Sequence, residues 1–207
     1  MKKHLLSLAL VVAGTMAAHA QNSRLGFKAG VSLASFVGDD VTSSSSGKFG
    51  FHGGLVASLG ITDRVSVQPE LLYSMKGTKD SGSNTNGTIT GYQTLHYVDV
   101  PMLLKLKFNQ LFLEAGPQVG VLAGATATVE GNGASQSIGN KSSFNDVDFG
   151  YALGLGFQAE SGLMLGFRYN GAFTNVPKEV TIRGQSIQPK ARNSAFQLYV
   201  GYLLHSK

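Results

Sequence analysis

Three histidines and one aspartate pair are the residues of this chain that could carry out acid–base chemistry. His52, His96 and His205 lie beyond the first twenty residues, and Asp39-Asp40 lies between two predicted strands. A His–Asp pair at the rim of a barrel could activate water for hydrolysis, because His accepts and releases protons near neutral pH. However, the chain has no G-x-S-x-G nucleophile motif, and nothing in the sequence brings these residues together. We predict no catalytic residue and no enzyme.

Metal and cofactor sites are not predicted either. The chain has no Cys, which excludes thiolate ligands and a disulfide framework. Asp39-Asp40 lacks the D-x-D-x-D-G spacing of a calcium loop and indicates a solvated turn. The run Ser43–Ser46 indicates a flexible loop. We predict no metal ligand and no cofactor.

The composition is that of one domain without the charge pattern of a nucleic-acid-binding protein. The 207 residues carry a formal net charge of +5, and two of the lysines, Lys2 and Lys3, lie in a predicted leader, which leaves 5 − 2 = +3. The remaining basic residues alternate with acidic ones instead of forming a basic patch. We therefore predict no nucleic-acid partner.

Residues 1–20 have the three parts of a secretory signal peptide. Lys2-Lys3 forms the positive segment, Leu5–Ala13 the apolar segment, and Ala18-His19-Ala20 the A-x-A cleavage pattern. The apolar run is too short for a helix that spans about 30 Å of hydrocarbon. We predict a cleaved signal peptide at 1–20 and a single barrel domain at 21–207.

Alternation of apolar and polar residues predicts eight strands. In the sequence around Asn109-Gln110, for example, Leu104, Leu106 and Phe108 share one parity and Lys105 and Lys107 the other. The predicted strands cover 24–36, 49–60, 64–77, a segment that ends at 108, a segment that begins at 111, 144–159, 163–174 and 193–204. They are longer than the usual five or six residues.

The connections alternate between long and short, which is typical of an outer-membrane barrel. Short turns are predicted at 61–63, 109–110 and 160–162, and polar loops at 37–48, 78–91, 128–143 and 175–192. Outer-membrane barrels have short periplasmic turns, longer extracellular loops and an even number of strands. We predict an all-β, eight-stranded, antiparallel, up-and-down transmembrane β-barrel with four longer extracellular loops.

A soluble barrel of the lipocalin type would place the apolar parity inside instead. Two features decide against this alternative. The polar parity is rich in Gly, which leaves room in a narrow lumen, and the apolar parity carries large side chains on every strand. An eight-stranded barrel has an interior that side chains just fill, so these large residues would overpack it. The apolar parity is predicted to face lipid.

The residues of the polar parity then face the lumen, and several of them are charged. Charges in a narrow interior must be paired with opposite charges and hydrogen-bonded. The predicted lumen charge network consists of Lys28, Arg64, Glu70, Lys76, Asp99, Lys105, Lys107, Glu114, Asp148 and Arg168. The turns predict its register: Lys105 opposite Glu114, Gly54 opposite Glu70, and Gly154 opposite Arg168. Lys105 with Glu114 is the ion pair that the register favours most.

Three prolines interrupt predicted strands. Pro69, Pro101 and Pro117 cannot donate to a β-ladder, and such residues belong at edges or bulges. Each lies five to eight residues from its nearest short turn, so they are predicted to form a band at one height, with bulges or broken ladder bonds.

Five segments together resemble a known family: QPELLYSMKG (68–77), YVDVPMLLK (97–105), LEAGPQVGVL (113–122), FGYALGLGFQAESGLMLGFRYNGAFTN (149–175) and FQLYVGYLL (196–204). They are similar to the PorT-like outer-membrane β-barrel domain of Bacteroidetes-type bacteria. The resemblance implies an eight-stranded outer-membrane barrel. The family's namesake takes part in protein secretion across the outer membrane, a role that fold alone does not transfer.

The expected function is that of a small outer-membrane barrel with a charge-paired, largely plugged lumen in a Gram-negative bacterium. It would act as a structural or surface-binding envelope protein through its outer loops, as a monomer. The predicted partners are outer-membrane lipid and lipopolysaccharide, and other envelope or secretion proteins. An accessory subunit of a secretion complex is the main alternative. A narrow pore and a rim-mounted hydrolase are the others.

Overall fold

The computed structural model describes residues 23–41, 45–84, 87–131, 134–182 and 185–204. The predicted signal peptide at 1–20 and the candidate His205 lie outside these residues, as does part of the serine run. The strands are β1 (Ser23–Val37), β2 (Ser45–Gly60), β3 (Val65–Asn84), β4 (Gly87–Phe108), β5 (Leu111–Gly131), β6 (Ala134–Gly139), β7 (Val147–Gln158), β8 (Leu163–Ala172), β9 (Val180–Ile182), β10 (Gln185–Ile187) and β11 (Arg192–Leu203). A 3-10 helix at Lys141–Ser143 follows β6.

Eight of these strands form a closed antiparallel ring. Its order is β1, β2, β3, β4, β5, β7, β8, β11, and β11 pairs with β1 to close it. Closure pairs the backbone groups of every wall strand on both sides, as hydrocarbon surroundings require. The predicted eight-stranded, up-and-down barrel is confirmed.

The apolar parity faces outward and the polar parity inward. On β1, Leu25 is 61% exposed and Phe27 56%, whereas Lys28 between the same neighbouring strands is 1% exposed. The same inversion of the usual soluble pattern recurs on the other wall strands, so the wall is a lipid-facing surface around a polar interior. Among the described residues, no helix is long and apolar enough to cross a membrane.

All four predicted long loops contain strand residues; in 37–48, β2 already begins at Ser45. The segment 78–91 largely extends β3 and β4 into one long hairpin. The segment 128–143 contains the end of β5 and the strand β6 that pairs with it, and 175–192 contains the β9–β10 hairpin. Polar composition alone predicted loops there, but projecting strands need no apolar face once they leave the membrane.

Two of the three predicted registers are correct. Lys105 lies opposite Glu114, and Gly154 lies opposite Arg168. Gly54, however, lies opposite Leu72 instead of Glu70. The turn before β3 is centred one residue later than predicted, because the Thr62 hydroxyl accepts hydrogen bonds from the backbone N–H groups of residues 64 and 65, at 3.3 and 3.0 Å.

The three prolines lie close to one height, as predicted. Pro69 is opposite Met102, and Pro101 is opposite Gln118. The β3–β4 pairing is interrupted between Pro69 and Leu72 without a change of register. The register shifts of β4–β5 and β2–β3 occur elsewhere, at His96/Tyr97 and between residues 47 and 52. The prolines therefore break ladder bonds but do not create the bulges.

Candidate functional site

The barrel interior holds most of the charged residues that the sequence analysis placed there. Eight of the ten are buried: Lys28, Glu70, Lys76, Asp99, Lys105, Glu114, Asp148 and Arg168. The other two do not belong to the buried set. Arg64 is exposed in the turn before β3, and Lys107 is half-buried near the end of β4. Both lie at the short-turn end of the barrel, outside the buried interior, where water can solvate a charge that the predicted network would have enclosed.

One cluster, here the turn-end cluster, consists of Lys28, Glu70, Glu114 and Arg168. The Arg168 guanidinium donates to both oxygens of Glu70, at 2.8 and 2.9 Å, and its Nε donates to Glu114 Oε1 at 2.7 Å. Lys28 Nζ lies 2.7 Å from Glu70 Oε2. These side chains have no measurable exposure, so each charge depends on its partners instead of on water.

The cluster forms across the lumen and not along one wall. Glu70 on β3 and Arg168 on β8 belong to strands on opposite sides of the ring. Gly154 opens the space between Arg168 and Glu114, because it faces both residues on its two neighbouring strands. A Cβ at Gly154 would lie 2.7 Å from Glu114 Oε1. The narrow lumen brings opposite walls within side-chain reach.

Lys105 is directly opposite Glu114 in register but forms a different set of contacts. Its Nζ lies 3.2 Å from Gln68 Oε1, 3.4 Å from the Met164 sulfur and 3.8 Å from the centroid of the Phe112 ring. No ion pair joins Lys105 to a carboxylate in the part of the chain that the structure describes. The favoured Lys105–Glu114 ion pair is therefore wrong, because Glu114 turns to Arg168.

A second cluster, here the loop-end cluster, is centred on Lys76, Asp99 and Asp148. Lys76 Nζ lies 3.0 Å from Asp99 Oδ1 and 3.3 Å from Asp148 Oδ2. Asn193 donates to the same Asp148 oxygen at 2.9 Å, and the Thr174 hydroxyl donates to Asp148 Oδ1 at 2.9 Å. This cluster lies toward the long loops and contains one cation for two carboxylates.

Several neutral polar residues of the interior were not singled out from the sequence. Tyr199 donates to Glu114 Oε1 at 3.0 Å, and Gln68 donates to Glu70 Oε1 at 2.7 Å. Tyr97 accepts a hydrogen bond from Asn193 at 3.3 Å. The inward parity of each residue was a signal that could have found them. Burying eight charges requires such additional hydrogen bonds, since ion pairing alone leaves carboxylate lone pairs unsatisfied.

Apolar residues close the interior above and below the charges. Toward the long loops, Phe144 and Val176 pack on Leu95, Tyr97, Leu122 and Ala125. Toward the short turns, Val56, Met164 and Leu203 form a second buried group. A cavity beside Lys76 and Asp148 has a volume of only about 10 Å³, close to the space that one water occupies. The described interior is thus filled by side chains.

The residues considered for hydrolysis do not come together. His52 is buried in the lumen with its ring 6.4 Å from the Tyr199 ring, between centroids. His96 lies on the outer face, where its Nδ1 and the Tyr73 hydroxyl are 2.6 Å apart. Asp39 lies 3.5 Å from Lys190 in the exposed loops. Within the described residues, no group of three or more His, Asp or Glu side chains could hold a metal ion.

The two charge clusters predict changes of very different size in the free energy of unfolding when a buried lysine is removed. The turn-end cluster together with Lys105 has three cations and two carboxylates, whereas the loop-end cluster has one cation and two carboxylates. Lys76→Met therefore leaves two buried carboxylates without their cation and should lower the free energy of unfolding by about 3–5 kcal/mol. Lys105→Met should change it by less than about 1 kcal/mol, since it removes the unpaired charge and keeps the volume.

Urea titration of the full chain refolded in lipid vesicles measures both variants. The chain has no Trp, so folding is followed by far-UV circular dichroism and by the mobility of unheated samples on gels. A Lys105→Met variant as unstable as Lys76→Met would contradict the assignment of Lys105 as a lysine without a carboxylate partner.

Solved structures with a similar fold come from bacterial outer membranes. Ail of Yersinia pestis, crystallised with the heparin analogue sucrose octasulfate, is 14% identical with a TM-score of 0.47, over 88% of this chain and 99% of that chain. Neisserial surface protein A is 13% identical with a TM-score of 0.46, over 88% and 99%. At these identities the likeness concerns the fold alone. No curated protein matches the chain.

The prediction that the chain is not an enzyme does not hold as an inference from the fold. The outer membrane protease OmpT of Escherichia coli is also among the similar structures, with 7% identity and a TM-score of 0.42, over 87% of this chain and 97% of that chain. A membrane barrel therefore does not by itself exclude catalysis. Equally, this distant likeness does not make the chain a protease.

One family model covers most of the chain. The outer membrane protein beta-barrel domain matches residues 19–177, which include the strands β1 to β8. This agrees with the lipid-facing wall and with a location in the outer membrane. The match is to the general barrel family, so the finer PorT-like assignment stays a prediction. The chain belongs to the outer membrane protein beta-barrel domain family.

Proposed function

We propose that this protein is a structural or surface-binding protein of the outer membrane that acts through its extracellular loops. One observation supports the proposal above all. Eight charged side chains fill the described interior, and apolar residues close both of its ends. Seven of the eight form ion pairs with one another, and Lys105 is hydrogen-bonded to Gln68. Transport through a narrow pore would require this packing to open. The polar and charged groups that a partner at the cell surface can contact therefore lie on the outer loops.

The first and last long loops are fastened to each other, which gives the extracellular end a preformed surface. The Lys190 backbone N–H donates to Asp40 Oδ2 at 2.8 Å, and Lys190 Nζ lies 3.5 Å from Asp39. Within the last loop, the Val176 N–H donates to the Ala191 carbonyl at 2.7 Å. Preformed loops lose less conformational freedom on binding. In this proposal the barrel is a monomer, residues 1–20 direct its export in a Gram-negative cell, and lipopolysaccharide or another envelope protein contacts the loops.

A second candidate is an accessory subunit of an outer-membrane secretion complex. The segments at 68–77, 97–105 and 149–175, which resemble the PorT-like domain, favour it. Such a subunit would contact its partners at either membrane surface, whereas a surface-binding protein would use its outer loops. The position of the contacts therefore separates the two functions.

Site-specific photocrosslinking in intact cells tests the proposal. A photoreactive amino acid replaces Asp40 or Lys141 in the outer loops or, as a control, Asp63 in a short turn; all three positions are exposed. We expect reproducible adducts with lipopolysaccharide or an envelope protein at Asp40 and Lys141, and none at Asp63.

Adducts at Asp63 alone would contradict the proposed function. If a single protein is crosslinked at Asp63, the result favours the second candidate, a subunit of a secretion complex. Folding of each variant is checked by the mobility of unheated samples on gels.

A further inference from the structure

A surface recess of about 530 Å³ lies at the extracellular end of β7 and β8. Val147 begins β7, Phe173 directly follows β8, and Gln188 comes from the last long loop. The volume falls within the range of about 300–1,000 Å³ that small-molecule sites occupy. The recess adjoins the loop-end cluster at Thr174, which lines the recess and donates to Asp148 Oδ1 at 2.9 Å. The apolar residues of the recess, Val147 and Phe173, are exposed and belong to the outward-facing set.

The floor of the recess is apolar and exposed. Phe173 is 58% exposed and Val147 44%. The Phe173 ring is held from the side by the rings of Phe149 and Tyr151, whose centroids lie 5.8 and 5.2 Å away. Aromatic side chains are common where a barrel meets the lipid headgroups. Here, in addition, polar side chains surround the ring.

The polar side of the recess combines three amide residues and one threonine with one carboxylate. These lining residues are Asn145, Asn175, Gln188, Thr174 and Asp146. The backbone that carries Asn175 is fixed, because Asn145 Nδ2 donates to the Asn175 carbonyl at 2.9 Å and to the Pro177 carbonyl at 3.2 Å. Amide side chains offer both donors and acceptors, and a carboxylate accepts hydrogen bonds from hydroxyl groups.

Charge narrows the class of ligand. Among the described residues, Asp146 is the charged residue that lines the recess. Lys141 Nζ lies 4.0 Å from Asp146, with both side chains about half exposed, so the charge of this carboxylate is partly compensated. The described lining therefore has no excess of positive charge that would favour a phosphate or sulfate group over an uncharged one. An uncharged ligand with hydroxyl groups and one C–H face fits the amides, the carboxylate and the ring.

We propose that this recess binds a neutral saccharide, with the C–H face of one sugar ring on Phe173 and its hydroxyl groups on Asp146, Asn175 and Gln188. The inference rests on the proposed function, since it gives the extracellular surface a ligand class. The sugar belongs either to an outer-leaflet glycolipid or to a soluble glycan, because the recess opens where the wall meets the extracellular side.

Saturation-transfer NMR on the full chain in phospholipid vesicles tests this site. The probes are glucose, galactose, mannose and N-acetylglucosamine, with glucose 6-phosphate as the charged comparison. We expect saturation of the ring protons of at least one neutral sugar. Phe173→Leu should weaken its binding at least about tenfold, the loss typical of an aromatic anchor. Phe49→Leu, at a 77% exposed ring near the loop end of β2, is the matched control and should leave binding unchanged.

The possible outcomes test three claims independently: the saccharide site, the source of the sugar and the proposed function. Failure of all neutral sugars to bind, equal losses in Phe173→Leu and Phe49→Leu, or a preference for glucose 6-phosphate would overturn the proposal. If the sugar signal disappears in vesicles that contain lipopolysaccharide, the glycolipid is the source, and a retained signal assigns the site to a soluble glycan. Absent sugar binding with intact crosslinks at Asp40 and Lys141 would refute only the saccharide site. Absent crosslinks there would refute the proposed function.

Discussion

Arg168→Met is expected to cost about 3–5 kcal/mol of the free energy of unfolding, one of the largest single-residue effects in the chain. Arg168 is fully buried and contacts Glu70 across the lumen and Glu114 on the same wall, over Gly154. Removing its guanidinium leaves two carboxylates in a water-poor interior with only part of their hydrogen bonds. Urea unfolding in lipid vesicles, followed by circular dichroism, measures the loss.

Arg64→Met is the matched control, because it makes the same chemical change in an exposed turn. Its effect should stay within about 0.5 kcal/mol. The double variant Arg168→Met, Glu114→Gln should recover part of the stability, since it removes the carboxylate that loses its cation and keeps the buried Lys28–Glu70 pair. Equal losses for Arg168→Met and Arg64→Met would show that the turn-end cluster does not stabilise the barrel.

Leu153→Arg is expected to cost about 2–4 kcal/mol when the protein is folded in a bilayer. Leu153 lies in the middle of β7 and is 51% exposed on the outer face. In a soluble protein an exposed Leu→Arg change would be nearly neutral. Here the exposed surface meets hydrocarbon, so the arginine must be solvated within lipid. The measurement is the unfolding free energy in vesicles.

Leu204→Arg provides the control, because Leu204 is also 51% exposed but directly follows the last strand of the wall. Near the membrane interface the same substitution should cost only about 0–1 kcal/mol. A Leu153→Arg variant as stable as Leu204→Arg would argue against a lipid-facing wall and return the soluble barrel to consideration.

Alternation along the chain was enough to predict the wall of the barrel. Each strand pairs with its neighbours through local turns, and side chains alternate with a period of two, so parity assigns a face. For this reason the strand count, the lipid-facing residues and the position of Arg168 opposite Gly154 all followed from the sequence. The register failed only at the turn before β3, where the Thr62 hydroxyl shifts the turn by one residue.

Contacts across the lumen could not be predicted in the same way. Strand order places Lys105 next to Glu114, but it says nothing about which side chain reaches from the opposite wall. Glu70 and Arg168 are 98 residues apart and meet only because the ring closes at a diameter that side chains can span. Alternation along each strand, in contrast, is what puts His52 inside and His96 outside, on opposite faces of the wall.

Sequence alone therefore determined which residues face lipid and which face the lumen, since that choice depends on local periodicity. Only the tertiary structure decided which charges pair, which lysine lacks a carboxylate, and where a recess opens at the extracellular end. These depend on distances between strands that are remote in sequence, and no local pattern encodes such distances.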